Sequence, residues 1–481
     1  MNESQREGVR SNAKYLREVR PIDPEEITEY VEGQPHPAAI RQVLREDAFE
    51  LGLLEREDGT FEPVPDEPVA PDFDGVEEFP TAYAMALEEL LVAEYGAGWV
   101  DGETGDAIRE RVRDLKTDYL WNNDVTYDYE TALAYACYHL PDYYATVQYV
   151  LAILAEDGLL DRQLRVLDVG AGVGGPALGL HDLLPADALV DYHAVEPSDA
   201  ADVLTAMLDE TGRNFQATIH RTTAESFDAG ETVRSDATFD LVLFGNVLSE
   251  LDDPAAVVER YEEWLAADGT MVAIAPADRE TAIGLREVER AVENGLTVYA
   301  PTVRLWPDAR PTDEGWSFDR KPDIAVPNVQ RRLDEGERAT PDPDHDPGEF
   351  VNTVVQYAYG LWRPDGRERI AFTPDPSSFA RLADSESHVT DRIDVVAVKL
   401  SHDLSDGDEA NPVFKIGDGS QQRSHYAVLT KPSALNRPLE SAAYGDLLFF
   451  ENVLVLWNDD ERAYNLVVDG ETVVDHAPAG E

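Results

Sequence analysis

The chain has 481 residues, with 97 acidic side chains against 39 basic ones and a net charge of −58. Hydrophobic residues make up 43%, enough for a buried core, which excludes a wholly disordered chain. A lone cysteine, Cys137, excludes an internal disulfide and a cysteine-cluster metal site.

The acid excess is spread along the whole chain. It suits a surface hydrated in concentrated salt and would repel itself in dilute buffer, which points to the cytoplasm of a salt-accumulating halophile. Met1 to Arg10 is polar and unlike a signal peptide. No apolar run reaches the roughly 18 residues needed to span a bilayer. The expectation is a soluble, cytoplasmic protein with no membrane partner; its oligomeric state is not legible.

The expected class is α/β: a Rossmann-like domain between an N-terminal helical, winged-helix-like region and a C-terminal β-rich region. Asp23-Pro24-Glu25-Glu26 reads as a capped helix start. A second helix is predicted from Pro37 to Ala48, with Ile40, Val43 and Leu44 on one face. Gly52 to Glu55 and Thr60 to Glu62, around Asp58-Gly59, predict a hairpin. Helices followed by a hairpin resemble a winged helix, here without the basic face of a nucleic-acid binder. This gives a first domain over 1–70.

Glu62 to Glu78, rich in proline and acid, reads as a linker. A helical region over 75–160 follows. It carries a dense aromatic stretch, Tyr135, Tyr138, His139, Tyr143 and Tyr144, with a Leu140-Pro141 step inside it. Such rings either stack on bases or fill a helical core.

From Leu164 the pattern alternates. Strands are predicted at Arg165–Val169, Leu189–Val195, Ala217–His220, Asp240–Phe244 and Thr270–Ala275, with helical segments between them, one over Pro254–Ala266. That alternation implies a parallel sheet covered on both faces. Gly295–Ala300 and Phe350–Leu361 supply late strands, giving a domain over 161–369 with an insertion at 301–349. The insertion's end, Leu333 to Glu349, is strongly acidic and reads as a mobile loop. The last domain, 370–481, predicts strands at Ile393–Leu400, Val413–Ile416, Tyr426–Thr430, Leu447–Trp457 and Tyr464–Val474, a small barrel or sandwich.

The stretch from Val166 to Gly175 carries the chemistry. A strand carrying Asp168 runs into Gly170, Gly172 and Gly174, and then enters a helix. Glycines let a ligand approach the backbone. Glu196, at the end of the next strand, can accept hydrogen bonds from ribose hydroxyls. Gly170, Gly172 and Gly175 also satisfy the dinucleotide pattern. Asp168 inside the strand favours S-adenosyl-L-methionine, since its carboxylate can reach a methionine amino group or orient the loop. Ala224-Glu225 resembles the adenine-contacting acidic position of class I methyltransferases, which makes Glu225 a candidate. Asn246, with Glu250 nearby, follows the fourth strand, whose carboxyl end faces the ligand in this fold. No Asn-Pro-Pro-Tyr-type motif stands there, and no catalytic residue can be named.

Taken together, Tyr135 to Tyr144, Asp168 to Gly175, Leu248-Ser249-Glu250-Leu251, Val298-Tyr299-Ala300-Pro301, Trp316-Ser317-Phe318 and Tyr444-Gly445-Asp446 resemble one family. It is the methyltransferase-like small-ribosomal-subunit assembly family, known from mitochondria with archaeal and bacterial relatives. The resemblance covers about residues 130 to 450. It implies S-adenosylmethionine binding and association with the small ribosomal subunit or its RNA. Many members carry cysteines that bind an iron–sulfur cluster or metal near the places where Thr302 and Ser317 stand here, so no metal site is expected. Two stretches relieve the acidic background and are candidate phosphate contacts: Arg304, Arg320 and Lys321 in one, Arg423, Lys431 and Arg437 in the other, with Trp306, Trp316, His425 and Tyr426 as stacking candidates. Two alternatives stand beside an RNA-directed enzyme: a non-catalytic assembly platform, and a methyltransferase acting on a protein or small molecule.

Overall fold

The computed structural model describes residues 1–70, 72–121, 123, 125–233, 238–343, 345–405, 407 and 410–477. The chain folds as two units. The first holds Met1–Leu243 and Asp323–Val355, the second Phe244–Pro322 and Gln356–Glu481.

The first unit begins with helix Glu3–Leu16, whose Asn2 and Gln5 cap each other. Helices Pro24–Tyr30, Pro37–Glu46 and Ala48–Leu51 follow, then the predicted hairpin, Leu53–Glu55 paired with Phe61–Pro63. Val9, Ile27, Val43, Leu44 and Phe61 close a small core of their own. The chain from Glu62 to Glu78 is not a free linker. Val69 donates to Leu160 O at 2.7 Å and Val76 N to Tyr149 Oη at 3.1 Å, and both side chains are buried. Pro71, in the same stretch, lies outside the described residues.

Three helices fill the next stretch: Thr81–Tyr95, Gly102–Trp121 and Tyr129–Glu156. The last is 28 residues long with Pro141 inside it. Proline removes one helical donor and pushes on the preceding turn. Here side chains enter the opened turn: Gln330 Nε2 and Asn352 Nδ2 donate to Tyr138 O at 3.1 and 3.3 Å.

The central strands are β1 (Gln163–Val169), β2 (Leu189–Val195), β3 (Phe215–His220) and β4 (Phe239–Gly245), in the order β3-β2-β1-β4. β1 and β3 both run parallel to β2. Helices Gly175–Leu183 and Ala200–Leu208 make the crossovers. Close packing on the long helix requires Gly179. A Cβ there would lie 2.1 Å from Val147 Cγ1 and 2.6 Å from Tyr144 O.

The segment 323–355 returns to this unit and is not a loose loop. Helix Asn328–Glu335 forms within it. Arg109 donates to Leu333 O at 2.9 Å, and Arg113 binds Asp342 and Glu349 at 2.7 and 2.6 Å. That guanidinium holds the Glu349 carboxyl down at about 2. Asp344 lies outside the described residues.

In the second unit, β5 (Leu265–Pro276), β6 (Thr297–Ala300) and β7 (Gln356–Arg363) follow the order β5-β7-β6, with β7 antiparallel to both. The short strand Asp319–Arg320 also pairs with β7. The central fold is Rossmann-like, mixed α/β. The C-terminal strands are β8 (Arg392–Lys399), β9 (Val413–Gly417), β10 (His425–Leu429), β11 (Leu447–Asn458), β12 (Ala463–Val468) and β13 (Val473–His476). They follow β8-β9-β10-β12-β11, and β11 pairs back to β8, so five strands close a ring. The β10–β12 pair is parallel. Tyr464–Val474 is two strands, not one, because the Asp469-Gly470 turn splits it.

Gly179→Ala is expected to lower unfolding stability by about 1–3 kcal/mol, since neither Val147 nor the Tyr144 carbonyl has room to yield. Denaturant unfolding in concentrated salt measures it. A variant as stable as the parent means the two helices can separate freely.

Candidate functional site

β1 ends in a turn built from left-handed glycines: φ is 71° at Gly170, 53° at Gly172 and 100° at Gly174. Side chains rarely adopt these angles. Gly170 N and Ala171 N both donate to Val195 O at the end of β2, at 2.8 and 3.2 Å. A Cβ on Gly172 would meet nothing nearer than 4.0 Å, so space lies open over the bend. The turn feeds helix Gly175–Leu183, whose N-terminal amides and dipole favour a negative group there.

Two carboxylates frame the bend. Glu196 is 7% exposed. Its Oε2 accepts from Gly172 N at 2.9 Å, and its Oε1 accepts from Ser198 N at 2.9 Å and Ser198 Oγ at 2.5 Å. These bonds to an ionised acceptor hold the loop in shape before any ligand arrives. Asp168 is fully buried. Tyr192 Oη donates to its Oδ2 at 2.6 Å, whereas Oδ1 is sealed and has no hydrogen-bond partner. Burial raises this carboxyl to about 7, with Glu196 adding repulsion and the tyrosine bond opposing both.

The structure thus brings together Asp168, Gly170, Gly172, Gly174 and Glu196. Glu225 lies on the exposed turn after β3. Asn246 belongs to the second unit, where its backbone is left-handed at φ 60° and its N donates to Ile274 O at 2.9 Å. Tyr192 and Ser198 are not legible in the sequence, because their roles emerge only when β2 lies beside β1.

The cation candidates separate. Arg304 pairs with Glu289 and Glu293, and its side chain is 12% exposed, so it is committed inside the unit and takes no part in a phosphate surface. Lys321 lies 2.9 Å from Asp319. Arg320, Arg423, Lys431 and Arg437 are exposed. Trp306 and His425 are buried, the first bonded to Asp418 and the second to Ser385, so neither can stack on a base. Trp316 is 38% exposed. Thr302 donates to Glu289, and Ser317 Oγ bonds Leu400 O and Tyr444 Oη.

Residues 167–271 match the model of a methyltransferase domain. Residues 6–57 and 383–477 match the N-terminal and C-terminal domains of a domain of unknown function, DUF8157. No curated protein matches the chain. Among solved structures, the chain is similar to magnesium protoporphyrin IX methyltransferase from Synechocystis PCC 6803 with bound cofactor (14% identity, 46% of this chain and 89% of that one, TM-score 0.26). It is also similar to precorrin-6y C5,15-methyltransferase from Geobacter metallireducens (14%, 41% and 78%, 0.25) and to a SAM-dependent methyltransferase from Aquifex aeolicus (15%, 35% and 85%, 0.26). The chain carries a methyltransferase domain, and its cofactor is S-adenosyl-L-methionine. The open bend, the orphaned Asp168 oxygen and the adjoining Glu196 carboxylate fit that molecule.

Glu196→Ala is expected to weaken cofactor binding about 10- to 100-fold, the range for losing one or two charge-assisted bonds, measured by calorimetry at high salt. Asp168 gives a pH test with a definite sign. Its carboxyl binds protons more strongly folded than unfolded, so stability falls as pH rises from about 4 through about 7. Asp168→Asn should therefore gain stability relative to the parent above pH 7, with the gain shrinking toward pH 4. The same variant should lose cofactor affinity. Equal stability curves across the range contradict the buried-acid reading.

Proposed function

We propose that the chain is an S-adenosylmethionine-dependent methyltransferase, or a methyltransferase-like factor, acting on the small ribosomal subunit through its RNA or its assembly. The observation that carries the first half is the bend between β1 and helix Gly175–Leu183, framed by Asp168 and Glu196. Asp168 Oδ1 would take the cofactor's ammonium, Glu196 the ribose hydroxyls, and the helix N-terminus its carboxylate. Glu225 would meet the adenine. When bound, the cofactor supplies an electrophilic methyl group on a sulfonium sulfur. The protein's part is to hold an acceptor in line with it, because the neutral sulfide leaves without acid help.

For the partner, support comes from the resemblance over residues 130 to 450 and from the exposed Arg320, Arg423, Lys431 and Arg437. The β8-β9-β10-β12-β11 ring has the connectivity of oligonucleotide-binding barrels. The face of β9 and β10 that such barrels offer to nucleic acid is occupied here: Asp313 seals Lys415 at 3.0 Å, and Thr312 binds Gln422. RNA would have to meet other edges of the ring. In molar salt, counterion release adds little, so stacking and shape carry affinity. The N-terminal helices and hairpin are read as a winged-helix-like protein-contact module, and the acidic surface as that of a halophile's cytoplasm. Among the described residues no helix is long and apolar enough to cross a membrane.

A non-catalytic platform is the second reading, favoured by Phe244 to Leu251, which lacks the motif that clamps a base amine. Deleting the gene and mapping methyl groups on ribosomal RNA separates the two. The enzyme reading expects one or a few missing methyl groups, restored by the parent chain and not by Glu196→Ala. A complete methyl map in the deletion strain, with the chain still co-sedimenting with small subunits, leaves the platform.

A further inference from the structure

The long helix Tyr129–Glu156 carries two buried polar atoms that lack a hydrogen bond. His139 Nδ1 and Asp142 Oδ1 are both sealed from solvent and make no hydrogen bond. They face each other across 3.9 Å. Asp142 is 9% exposed. Burial pushes its carboxyl above the usual range, against the pull of His139 and Asn352.

Four tyrosine rings surround the imidazole. Ring centroids lie 5.8 Å away for Tyr119, 5.0 Å for Tyr135, 4.9 Å for Tyr138 and 5.3 Å for Tyr143, the last stacked at 14°. The His139 side chain keeps 15% of its surface open. Nδ1 is sealed, whereas Nε2 is not among the sealed atoms of the ring. Tyr143 links this cluster to the cofactor turn, because a Cβ on Gly175 would sit 2.8 Å from Tyr143 Cβ.

A purely structural pair would be hydrogen-bonded, since two unmet buried groups each cost stability. A gap that a small ring rotation closes once the imidazole is charged is what a proton-accepting group needs. The same helix is interrupted by Pro141 between the two residues, so the turn that carries them is held by Gln330 and Asn352 as well as by helical bonds.

We propose that His139 is the general base of methyl transfer, that Asp142 positions and charge-balances it, and that the surrounding tyrosines bind a flat nucleobase whose nucleophilic atom carries a proton. This rests on the RNA-methyltransferase reading above. His139 takes the acceptor's proton on Nε2, while the electron pair left on the acceptor atom forms the new bond to the methyl carbon and the carbon–sulfur pair returns to sulfur. The resulting imidazolium donates Nδ1–H to Asp142, and the proton then passes to water. His139 touches the acceptor and is catalytic; Asp142 acts through it.

The test uses the full chain in molar potassium chloride, small-subunit ribosomal RNA from cells lacking the gene, and S-adenosylmethionine labelled at the methyl group. His139→Gln is expected to lose transfer by about 100-fold or more, within the range for a general base, with its calorimetric cofactor Kd within about two-fold of the parent. Asp142→Asn is expected to lower kcat about ten-fold with the KM for RNA little changed. If His139→Gln unfolds at a clearly lower temperature than the parent, Asp142→Asn decides, and a kcat equal to the parent's overturns the pair. A His139→Gln variant that labels RNA at the parent's rate overturns the base. So does a parent chain that binds cofactor but labels no RNA. A parent chain that fails to bind cofactor overturns the underlying methyltransferase reading instead.

Discussion

The contact on which the site depends is the 2.9 Å bond from Gly172 N to Glu196. A turn of left-handed glycines has many accessible shapes, and closing it onto one costs conformational entropy. Glu196 removes that freedom by holding the bend, while Ser198 fixes the carboxylate from its other side. The carboxylate has more lone pairs than these three donors use, so it can restrain the loop and still accept from a ligand. Asp168 beneath it is the opposite case. It has one donor, Tyr192, and one buried oxygen without a hydrogen bond.

The scarcity of cations shapes the rest of the fold. With 39 basic residues against 97 acidic ones, several buried or half-buried cations join distant segments. Arg109 ties helix Gly102–Trp121 to Leu333, and Arg113 ties it to Asp342 and Glu349. Lys415 joins β9 to Asp313, and Arg363 joins β7 to Thr270 and Asp268. Pairs sheltered from solvent are screened far less than exposed ones. These inner clasps therefore keep their strength at ionic strengths that weaken exposed pairs.

What is legible in the sequence is local. Alternating glycines after a buried strand, and an acid at the end of the next, identify the bend because the chemistry lies within a few residues of itself. β2 has the same bounds in the sequence pattern and in the fold. What requires the third dimension stays hidden. Tyr192 stands 24 residues from Asp168 and has no motif. Helix Glu3–Leu16 escapes notice because its polar surface masks Val9, Ala13 and Leu16, although Asn2 and Gln5 spell its cap. The acidic tail of the insertion looks mobile in sequence because its partners, Arg109, Arg113 and Lys116, lie more than 200 residues away. Arg304 looks like a free cation because the sequence alone does not show how Glu289 and Glu293, on the preceding helix, bring it inside.

The Tyr135-to-Tyr144 stretch shows how one sequence feature serves two ends of the fold. Tyr144 turns inward, packs against Phe79 and Tyr83 and donates to Asp182, so the reading of a helical core holds for it. One residue earlier, Tyr143 stands against Gly175 at the mouth of the cofactor turn. Helical geometry places residues three and four apart on one face, which groups Tyr135, His139 and Tyr143 and sets them apart from Tyr144. Gly175 and Gly179 let the two helices approach until the backbone of one touches the other. The spacing that builds the core is therefore also the spacing that brings an aromatic, imidazole-bearing face to the edge of the glycine bend.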